Sequence, residues 1–500
     1  MKNLLTSAQM RLADAFTIKS QQISPVELME TASAAFVQAL IAEVQDKTAG
    51  IAVLCGKGNN GGDGLAIARL LQDKGYTGIT VYLIEFSANS TAEYQINLER
   101  LKQTGLKLTE VNTPEQLALL KEQVIIDAVL GSGLSRPLTG LYQELAEVIN
   151  ALKRQVIAVD IPTGFPAEGI TDAHSIYLKA DLVISFQRPK ISFFFPESAA
   201  AFNRFRVVDI GLSEDFIQNT ESIYKLVDSK TLTQLVQPRK AFTHKGTYGH
   251  VLLIAGQKET MGAALLAAKA CLHGGAGLTT VSIPESGLTA LNTALPEVMY
   301  IDRNRISVVG ELEKFKVVAT GPGLGTAEDS VSLVQYLLNL KRPLILDADA
   351  LNILGSHPEM LEQLCAGSVL TPHMKEFDHL FGTHQCWWAR LQTARQKAIA
   401  KGWTIVLKNQ YTFIIDEMGQ VAINSTGNPA MAQGGMGDVL TGLTASFLAQ
   451  GHTASDAAVI ACYLHGKAGD ELAEKYTNVT ASQVAVRIPE TLKGLNRDSA

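Results

Sequence analysis

Short, almost wholly apolar runs alternate with longer amphipathic stretches along this chain, and they do so in two separate series. The first series reads "IAVLCG" (51–56), "ITVYLI" (79–84), "VIIDAVLG" (124–131), "VIAVDIP" (156–162), "ADLVISF" (180–186) and "FRVVDIG" (205–211). Between these runs lie helix-like stretches such as "GLAIARLLQDKG" and "LYQELAEVINALKR". Strands with no polar alternation cannot leave one face in water. They predict a parallel sheet covered by helices on both sides. The pattern loosens over residues 213–245. It then resumes with "HVLLIAG" (250–256), "LTTVSIP" (278–284), "FKVVATG" (315–321), "PLILDADAL" (343–351), "SVLTPH" (368–373), "TIVLKN" (404–409) and "TFIID" (412–416). A chain of 500 residues exceeds what one hydrophobic core accommodates, about 250–300 residues. Two α/β domains are expected, over 1–220 and 225–495, with no fixed-period repeat and no low-complexity segment.

Composition narrows the classes of function. Lysine plus arginine number 43 and aspartate plus glutamate 49, so the net charge is 43 − 49 = −6. That balance argues against a general binder of nucleic acid or anionic membrane. No apolar run of about 18 residues is present to span a bilayer. The N-terminal "MKNLLTSAQMRLADAF" carries Arg11 and Asp14 inside its apolar pattern, so it reads as an amphipathic helix and not as a signal peptide. A cytoplasmic protein is the expectation. The 5 cysteines are scattered without CxxC spacing and read as buried free thiols.

Within the first series, "LCGKGNNGGDGLAIARLL" (54–71) places Gly56 to Gly64 between a strand and a helix. Free N–H groups at a helix start, with glycines that admit close approach, make an anion site. The spacing is neither GxGxxG nor GxxxxGK[ST], so phosphate or a nucleotide-like guest stands beside the alternative of a tight structural turn. "IIDAVLGSGLSRPLTG" adds Asp127 in a strand and Gly131 to Pro137 in the loop after it. "VDIPTG" adds Asp160 and Thr163 at the end of the next strand. Loops at the carboxyl ends of parallel strands are where α/β sheets bind ligands. Each aspartate taken alone could cap a turn; two of them beside two glycine loops favour a ligand site.

The second series has a denser set. In "GNPAMAQGGMGDVLTG" (427–442), Gly434, Gly435 and Gly437 precede Asp438 and a helix-like run. That arrangement offers an oxyanion or phosphate nest with a carboxylate in the same turn. The carboxylate could accept a proton from a substrate hydroxyl while the nest holds transferring phosphate oxygens. A helix-capping role for Asp438 is the plain alternative, and both can hold. "TGPGLG" (320–325), "DADALNIL" (347–354), "TPHMKEF" (371–377) and "LKNQYT" (407–412) add a glycine loop, two strand-end acids, a loop histidine and a link between two strands. His465 reads as a core histidine, and Trp387 and Trp388 as packing or surface anchors. His244 and Lys245 either reach phosphates or lie in a solvated turn.

The motifs "VLCGKGNNGGDGLAIARLL", "DAVLGSGLSRPL" and "AVDIPTG", spread over residues 1–215, resemble the epimerase domain of the bifunctional NAD(P)H-hydrate repair enzymes. The resemblance implies a Rossmann-like αβα sandwich. It implies that Asn59, Asn60, Gly61, Gly62, Asp63, Gly131, Ser132, Gly133, Leu134, Ser135, Arg136 and Pro137 contact the hydrated dinucleotide. It further implies that Asn60, Asp127 and Thr163 hold a potassium ion, and that Asp160 contacts substrate and does acid/base work. The family more often has serine at position 163, and it also tends to show lysine at position 190; a solvated surface lysine is the other reading of Lys190. The ordered set "HKGTYGHVLLIAG", "GAGL", "GPGLG", "DADALN", "TPH", "LKN" and "GNPAMAQGGMGDVLTG", over 225–490, resembles the ADP/ATP-dependent dehydratases of the same hydrates, with a ribokinase-like α/β fold. That resemblance implies hydrate contacts by Ala263, Gly323 or Gly325, His373 and Asp438, with Asp438 catalytic. It implies adenine-nucleotide contacts by Lys408, Asn409, Gln410, Tyr411, Thr412 and Gly437, with ADP as co-substrate and Mg2+ on its phosphates. Departures from the family pattern are Met374 and Lys375 in place of Pro-Gly, and Ala430 and Gln433 in the glycine-rich turn. The implied function is interconversion of the R and S hydrates of NADH and NADPH, then ADP-driven dehydration of the S form, by a homo-oligomer without nucleic-acid or membrane partners. The competing reading is a ribokinase-like small-molecule kinase with an N-terminal ligand-binding module.

Overall fold

The apolar runs of the first series become the centre of a seven-stranded sheet. A computed structural model describes residues 1–133, 136–171, 175–236, 238–306 and 311–495. Strands are numbered along the chain from a two-residue β1 (Lys2–Asn3). The chain divides into two compact units. One comprises Asn3–Ser222 with Gln385–Ala389; the other comprises Met1–Lys2, Ile223–His384 and the chain from Arg390.

The first unit holds β2 (Ile51–Cys55), β3 (Ile79–Ile84), β4 (Lys107–Val111), β5 (Val124–Ala128), β6 (Gln155–Val159), β7 (Ala180–Phe186) and β8 (Phe202–Val208). Their order is β4-β3-β2-β5-β6-β7-β8, with every pair parallel. Every residue of β2 and β5 is buried, as strands covered on both faces must be. The chain leaves β2 for β3 and β4 on one side and returns through β5 to β8 on the other. The β2/β5 pair is therefore the topological switch point, and its carboxyl ends form the crevice for a ligand. The edge strand β4 was not legible as a strand because its residues, "KLTEV", are mostly polar and partly solvated.

The helix after β2 departs from expectation. It runs Asn59–Asp73, so the glycine-rich stretch forms its first turns and is not a loop before it. The reason is packing. A Cβ on Gly61 would lie 1.5 Å from the Gly56 carbonyl oxygen, and one on Gly64 would lie 2.6 Å from the Ala128 Cβ. The close approach these two glycines permit is to the protein's own strand ends.

The second unit contains β9 (Tyr224–Leu226), β10 (His250–Ile254), β11 (Leu278–Ile283), β12 (Met299–Asp302), β13 (Val317–Thr320), β14 (Ile345–Leu346), β15 (Val369–Leu370), β16 (Thr404–Leu407), β17 (Thr412–Ile415) and β18 (Val421–Asn424). Its sheet has the order β1-β9-β18-β17-β16-β15-β14-β13-β10-β11-β12. The stretch from β16 to β12 is parallel, while β16, β17 and β18 form antiparallel hairpins. Here the switch point is β10/β13. The expected strands at 343–351 and 368–373 shorten to β14 and β15. At the first, the chain turns into the helix Ala348–Ser356. At the second, His373 accepts from the Glu376 N–H and caps the helix Met374–Phe381. His373 is thus a helix cap and not a free loop residue.

Helix Met436–Ala449 carries Asp438 and lies against helix Met261–His273 with no room to spare. A Cβ on Gly442 would sit 1.9 Å from the Ala267 carbonyl oxygen. Backbone cannot swing aside as a flexible side chain can. Gly442→Ala is expected to destabilise this unit by about 3 kcal/mol, the upper end of overpacking costs. Urea unfolding of variant and wild type measures it, and a loss below about 0.5 kcal/mol, the size of an ordinary surface change, would contradict this packing.

Candidate functional site

The switch point of the first unit opens on a cavity of about 450 Å³ whose lining includes Asp14, Asn60, Asp63, Gly131, Asp160 and Lys190. Asp127 and Thr163 form its mount. The Thr163 N–H donates to Asp127 Oδ2 at 2.8 Å, and the Thr163 hydroxyl donates to Oδ1 at 2.6 Å. The Leu130 N–H donates to the Thr163 hydroxyl oxygen at 2.9 Å. These bonds lock the loops after β5 and β6 together. Burial pushes the Asp127 carboxyl up to about 6 despite those donors. Asn60 is buried, its side chain faces Gly131, and its Nδ2 has no hydrogen-bond partner. An amide that the fold leaves unsatisfied at a cavity wall is available to a guest.

Asp160 stands just after β6 in the left-handed region, at φ 64°. Such strain costs about 1–3 kcal/mol and persists where the surroundings enforce it. Its Oδ1 accepts from the Phe186 N–H at 3.0 Å and the Ser185 hydroxyl at 3.2 Å, and it meets Lys190 Nζ at 2.6 Å. Lys190 is therefore a buried partner of Asp160 and not a solvated surface lysine. Two more carboxylates share this field. Burial first, and then the charge of Asp160, raise Asp14 to about 6 and hold Asp63 well above the ordinary carboxylate range. Asp14 was missed as a site residue. Its one signal was an acid inside the apolar face of the first helix.

Not every expected contact residue joins this cavity. Asn59, Asn60, Asp63, Gly131, Ser132 and Gly133 line it. Gly61 and Gly62 face the protein instead: a Cβ on Gly62 would lie 2.8 Å from the Met29 sulfur. Arg136 and Pro137 are exposed and outside the lining, while Leu134 and Ser135 fall outside the described residues.

In the second unit, the chemistry gathers around Lys408 at the end of β16. Its Nζ donates to Asp347 Oδ1 at 2.8 Å, and the Thr441 hydroxyl donates to Asp347 Oδ2 at 2.6 Å. Burial works against the charge on Asp347, but Lys408 and these hydrogen bonds hold its carboxyl below the usual range. Burial likewise opposes the charge on Lys408, yet Asp347, Glu376 and Asp438 together raise it. Among the described residues Asp438 has no such direct partner. Burial, then repulsion from Asp347, lifts it to about 6. It lies in the first turn of its helix, and the N-cap is Gly435 at φ 90°, so Asp438 caps nothing. Asp347 and Thr441 were the residues sequence reasoning passed over. Asp347 was visible only as a strand-end acid, and Thr441 only as one position on a helix.

Ala263, Gly323 and Gly325 meet at the β10/β13 switch point. Gly323 and Gly325 have φ of 56° and 74°, and a Cβ on Gly323 would lie 3.0 Å from the Ala263 Cβ. The Gly325 N–H donates to Asp349 Oδ2 at 2.8 Å, so Asp349 holds the glycine loop while Asp347 serves Lys408. His373 bridges Lys408 through backbone pairing. A separate cavity of about 460 Å³ is lined by Lys408, Asn409, Gln410, Thr412 and Gly437 among others. Tyr411 is not in that lining. Trp387 is buried packing, and His244 is exposed and caps a turn.

Two doubly wound units, each with a buried acid at the carboxyl edge of its parallel sheet, define a fused pair of ligand-binding α/β modules. Residues 251–490 match the family model described as NAD(P)H-hydrate dehydratase, and residues 25–192 match the one described as YjeF-related protein N-terminus. The bifunctional NAD(P)H-hydrate repair enzyme Nnr of Moorella thermoacetica is 34% identical over 496 residues, spanning 94% of this chain and 93% of its own. The corresponding Escherichia coli enzyme is 32% identical over 431 residues, spanning 85% and 81%. A ribokinase-like superfamily protein from Enterococcus faecalis, 28% identical, overlays 55% of this chain and 98% of its own with a TM-score of 0.51. The chain belongs to the family of bifunctional NAD(P)H-hydrate repair enzymes. No helix among the described residues is long and apolar enough to cross a membrane.

The raised carboxyl of Asp14 has a thermodynamic signature. Between its ordinary value of 3.8 and about 6, the folded state holds a proton that the unfolded state has lost. Stability therefore falls as pH rises through that window, and the full penalty applies above it. Asp14→Asn is expected to stabilise the protein by about 2 kcal/mol at pH 8 and by much less at pH 4. Urea titrations at both pH values check this; equal effects at the two would contradict it.

Proposed function

We propose that residues 1–220 carry the epimerase and residues 225–495 the dehydratase of a repair enzyme for hydrated NADH and NADPH. The observation that bears most of this reading is Asp438. It is a carboxyl lifted to about 6, beside a half-buried Lys408, in the first turn of a helix whose Gly437 lines the nucleotide-sized cavity. That is the equipment for taking a proton from a hydroxyl while cationic and N–H groups receive phosphate oxygens.

The chemistry balances as follows. Asp438 accepts the proton of the ring hydroxyl in the S hydrate, and the hydroxyl oxygen bonds to the terminal phosphorus of ADP. The bond to the bridging oxygen breaks and AMP leaves. The ring nitrogen's lone pair then expels phosphate from the carbinol carbon, and loss of the neighbouring ring proton restores the dihydropyridine. Hydroxide is a poor leaving group and phosphate a good one, which accounts for the nucleotide. Lys408, held ionised by Asp347, takes the phosphate oxygens, and the helix N-terminus at Gly437 supplies N–H donors. Among the described residues no cluster of three or more His, Cys, Asp or Glu forms a metal cage. Magnesium, which supplies charge neutralisation when bound, would be carried by nucleotide phosphates and water, as is usual for that ion.

In the first unit, a group that holds its proton near neutrality lies beside a salt-bridged carboxylate. Asp14 or Asp63 protonates the departing hydroxyl, the ring nitrogen expels water, and Asp160 with Lys190 manages the water that returns to the other face. Asn60 Oδ1, the Asp127 carboxylate and the Thr163 hydroxyl are oxygen donors of the kind a hard cation takes, while the unsatisfied Asn60 Nδ2 is left to donate to the substrate. These oxygens fit a hard monovalent cation such as potassium, which would offset the buried Asp127 and the substrate phosphates.

Two substitutions separate the units. Asp438→Asn is expected to cut S-hydrate dehydration at least a thousandfold while epimerisation continues, and Asp160→Asn to do the reverse. Absorbance of the dihydronicotinamide band and chromatographic R/S ratios read the two activities. Loss of both activities in either variant would contradict the assignment. For the wild type, dehydration per unit of substrate at limiting hydrate should rise with pH through a midpoint near 6, where Asp438 ionises.

A further inference from the structure

We propose that His465 hydrogen-bonds the nucleoside half of the adenine nucleotide through Nε2, making it a specificity residue of the dehydratase unit. This rests on the nucleotide reading of the cavity given above. His465 lies on helix Ala454–Ala473 and lines the 460 Å³ cavity together with Pro429, Met431, Met436 and Leu440. Its Nε2 is buried and has no hydrogen-bond partner.

Three polar residues of that lining, Asn424, Asn428 and Lys408, are already engaged. Asn424 Nδ2 donates to the Thr426 and Cys462 carbonyls, both at 3.3 Å, and its Oδ1 accepts from the Thr426 hydroxyl at 3.0 Å. Asn428 Nδ2 donates to Asp470 Oδ1 at 2.8 Å, and its Oδ1 accepts from the Ala430 N–H at 3.0 Å. Lys408 is paired with Asp347. A buried ring nitrogen left over from this accounting costs free energy unless something enters the cavity to meet it.

The position of the ring is fixed and not incidental. A Cβ on Gly466 would lie 2.3 Å from the Thr426 hydroxyl oxygen, and one on Gly469 would lie 2.0 Å from the Met431 sulfur. The helix therefore lies close against the loop holding Thr426 and Met431, and His465 and that loop line the same cavity.

Charge selects which part of the nucleotide it meets. Burial first, and then the nearby Lys408 cation, push the imidazole down to about 4, so it is neutral at physiological pH. A neutral ring among methionine, leucine and proline side chains suits a base or a ribose hydroxyl. The phosphates belong with Lys408 and the helix N-terminus at Gly437.

The test is steady-state kinetics on the full-length enzyme with saturating S-hydrate and varied ADP, for wild type, His465→Ala and His465→Gln. The alanine variant is expected to raise the KM for ADP about tenfold, with the loss in kcat/KM carried mainly by KM. The glutamine variant, which keeps a hydrogen-bonding group, should recover part of it. The KM for the hydrate and the epimerase rate should stay put, which a folding defect would not allow. Inosine diphosphate and 2′-deoxy-ADP locate the contact: wild type should discriminate against one of them, and the alanine variant should lose that discrimination. A KM for ADP within twofold of wild type in both variants, or an equal rise in the KM for the hydrate, overturns the proposal. A wild type that dehydrates with no nucleotide at all overturns the underlying reading, and this one with it.

Discussion

A parallel sheet buried on both faces leaves its carboxyl edge as the place where polar atoms can gather, and both units of this chain put carboxylates there. A carboxylate sealed from water must either find a compensating charge or give up its own. Asp127 finds hydrogen bonds from Thr163 and the Val129 N–H, but no cation among them, and its carboxyl stays high. Asp347 finds Lys408 and Thr441, and its carboxyl falls. The difference carries over to the neighbours. Because Lys408 is committed to Asp347, Asp438 receives only part of its field and remains poised near neutrality. Breaking one such pair leaves a buried charge uncompensated, a cost of about 3–5 kcal/mol. That is why the pairing of Asp347 with Lys408 sets the charge around Asp438.

The two units reach related ends by different routes. The first crowds three acids and one lysine around a single cavity, where burial, and then the charge of Asp160, keeps Asp14 and Asp63 above the ordinary carboxylate range. The second spreads its acids over separate tasks. Asp349 fixes the glycine loop, Asp347 fixes the lysine, and Asp438 keeps a raised carboxyl, which the proposed function assigns to the substrate. The first arrangement suits adding and removing a proton at one centre. The second suits moving a phosphoryl group past a base.

Much of this was legible in the sequence, for physical reasons. Buried strands announce themselves because every residue must be apolar, so β2, β3, β5 and β7 could be read directly. Asp160 and Asp438 stood out because an acid beside glycines at a strand or helix end has few structural excuses. What sequence could not give was the identity of each residue's neighbour. The glycines of "GNNGGDG" looked like room for a ligand, and two of them, Gly61 and Gly64, proved to be room for the chain's own strand ends. Lys190 looked as much like a surface lysine as a site residue until β7 and the turn after it brought it to Asp160. His465 read as ordinary core, because nothing local reveals that a buried nitrogen lacks a partner. Short and polar-edged strands such as β4, β9 and β14 were lost or mis-sized, since two to five residues carry too little pattern.

The central claim is that two successive reactions on one damaged cofactor are joined in this chain, with phosphate spent at the second. Its most direct measurement starts from the pure R hydrate of NADH, with full-length enzyme, ADP, potassium and magnesium. Recovered dihydronicotinamide absorbance and released inorganic phosphate are followed together. The account predicts a lag while the S form accumulates, and then one phosphate released for each NADH restored, with AMP as the nucleotide product. Recovery of NADH without phosphate release, or accumulation of a stable phosphoester of the hydrate, would contradict it.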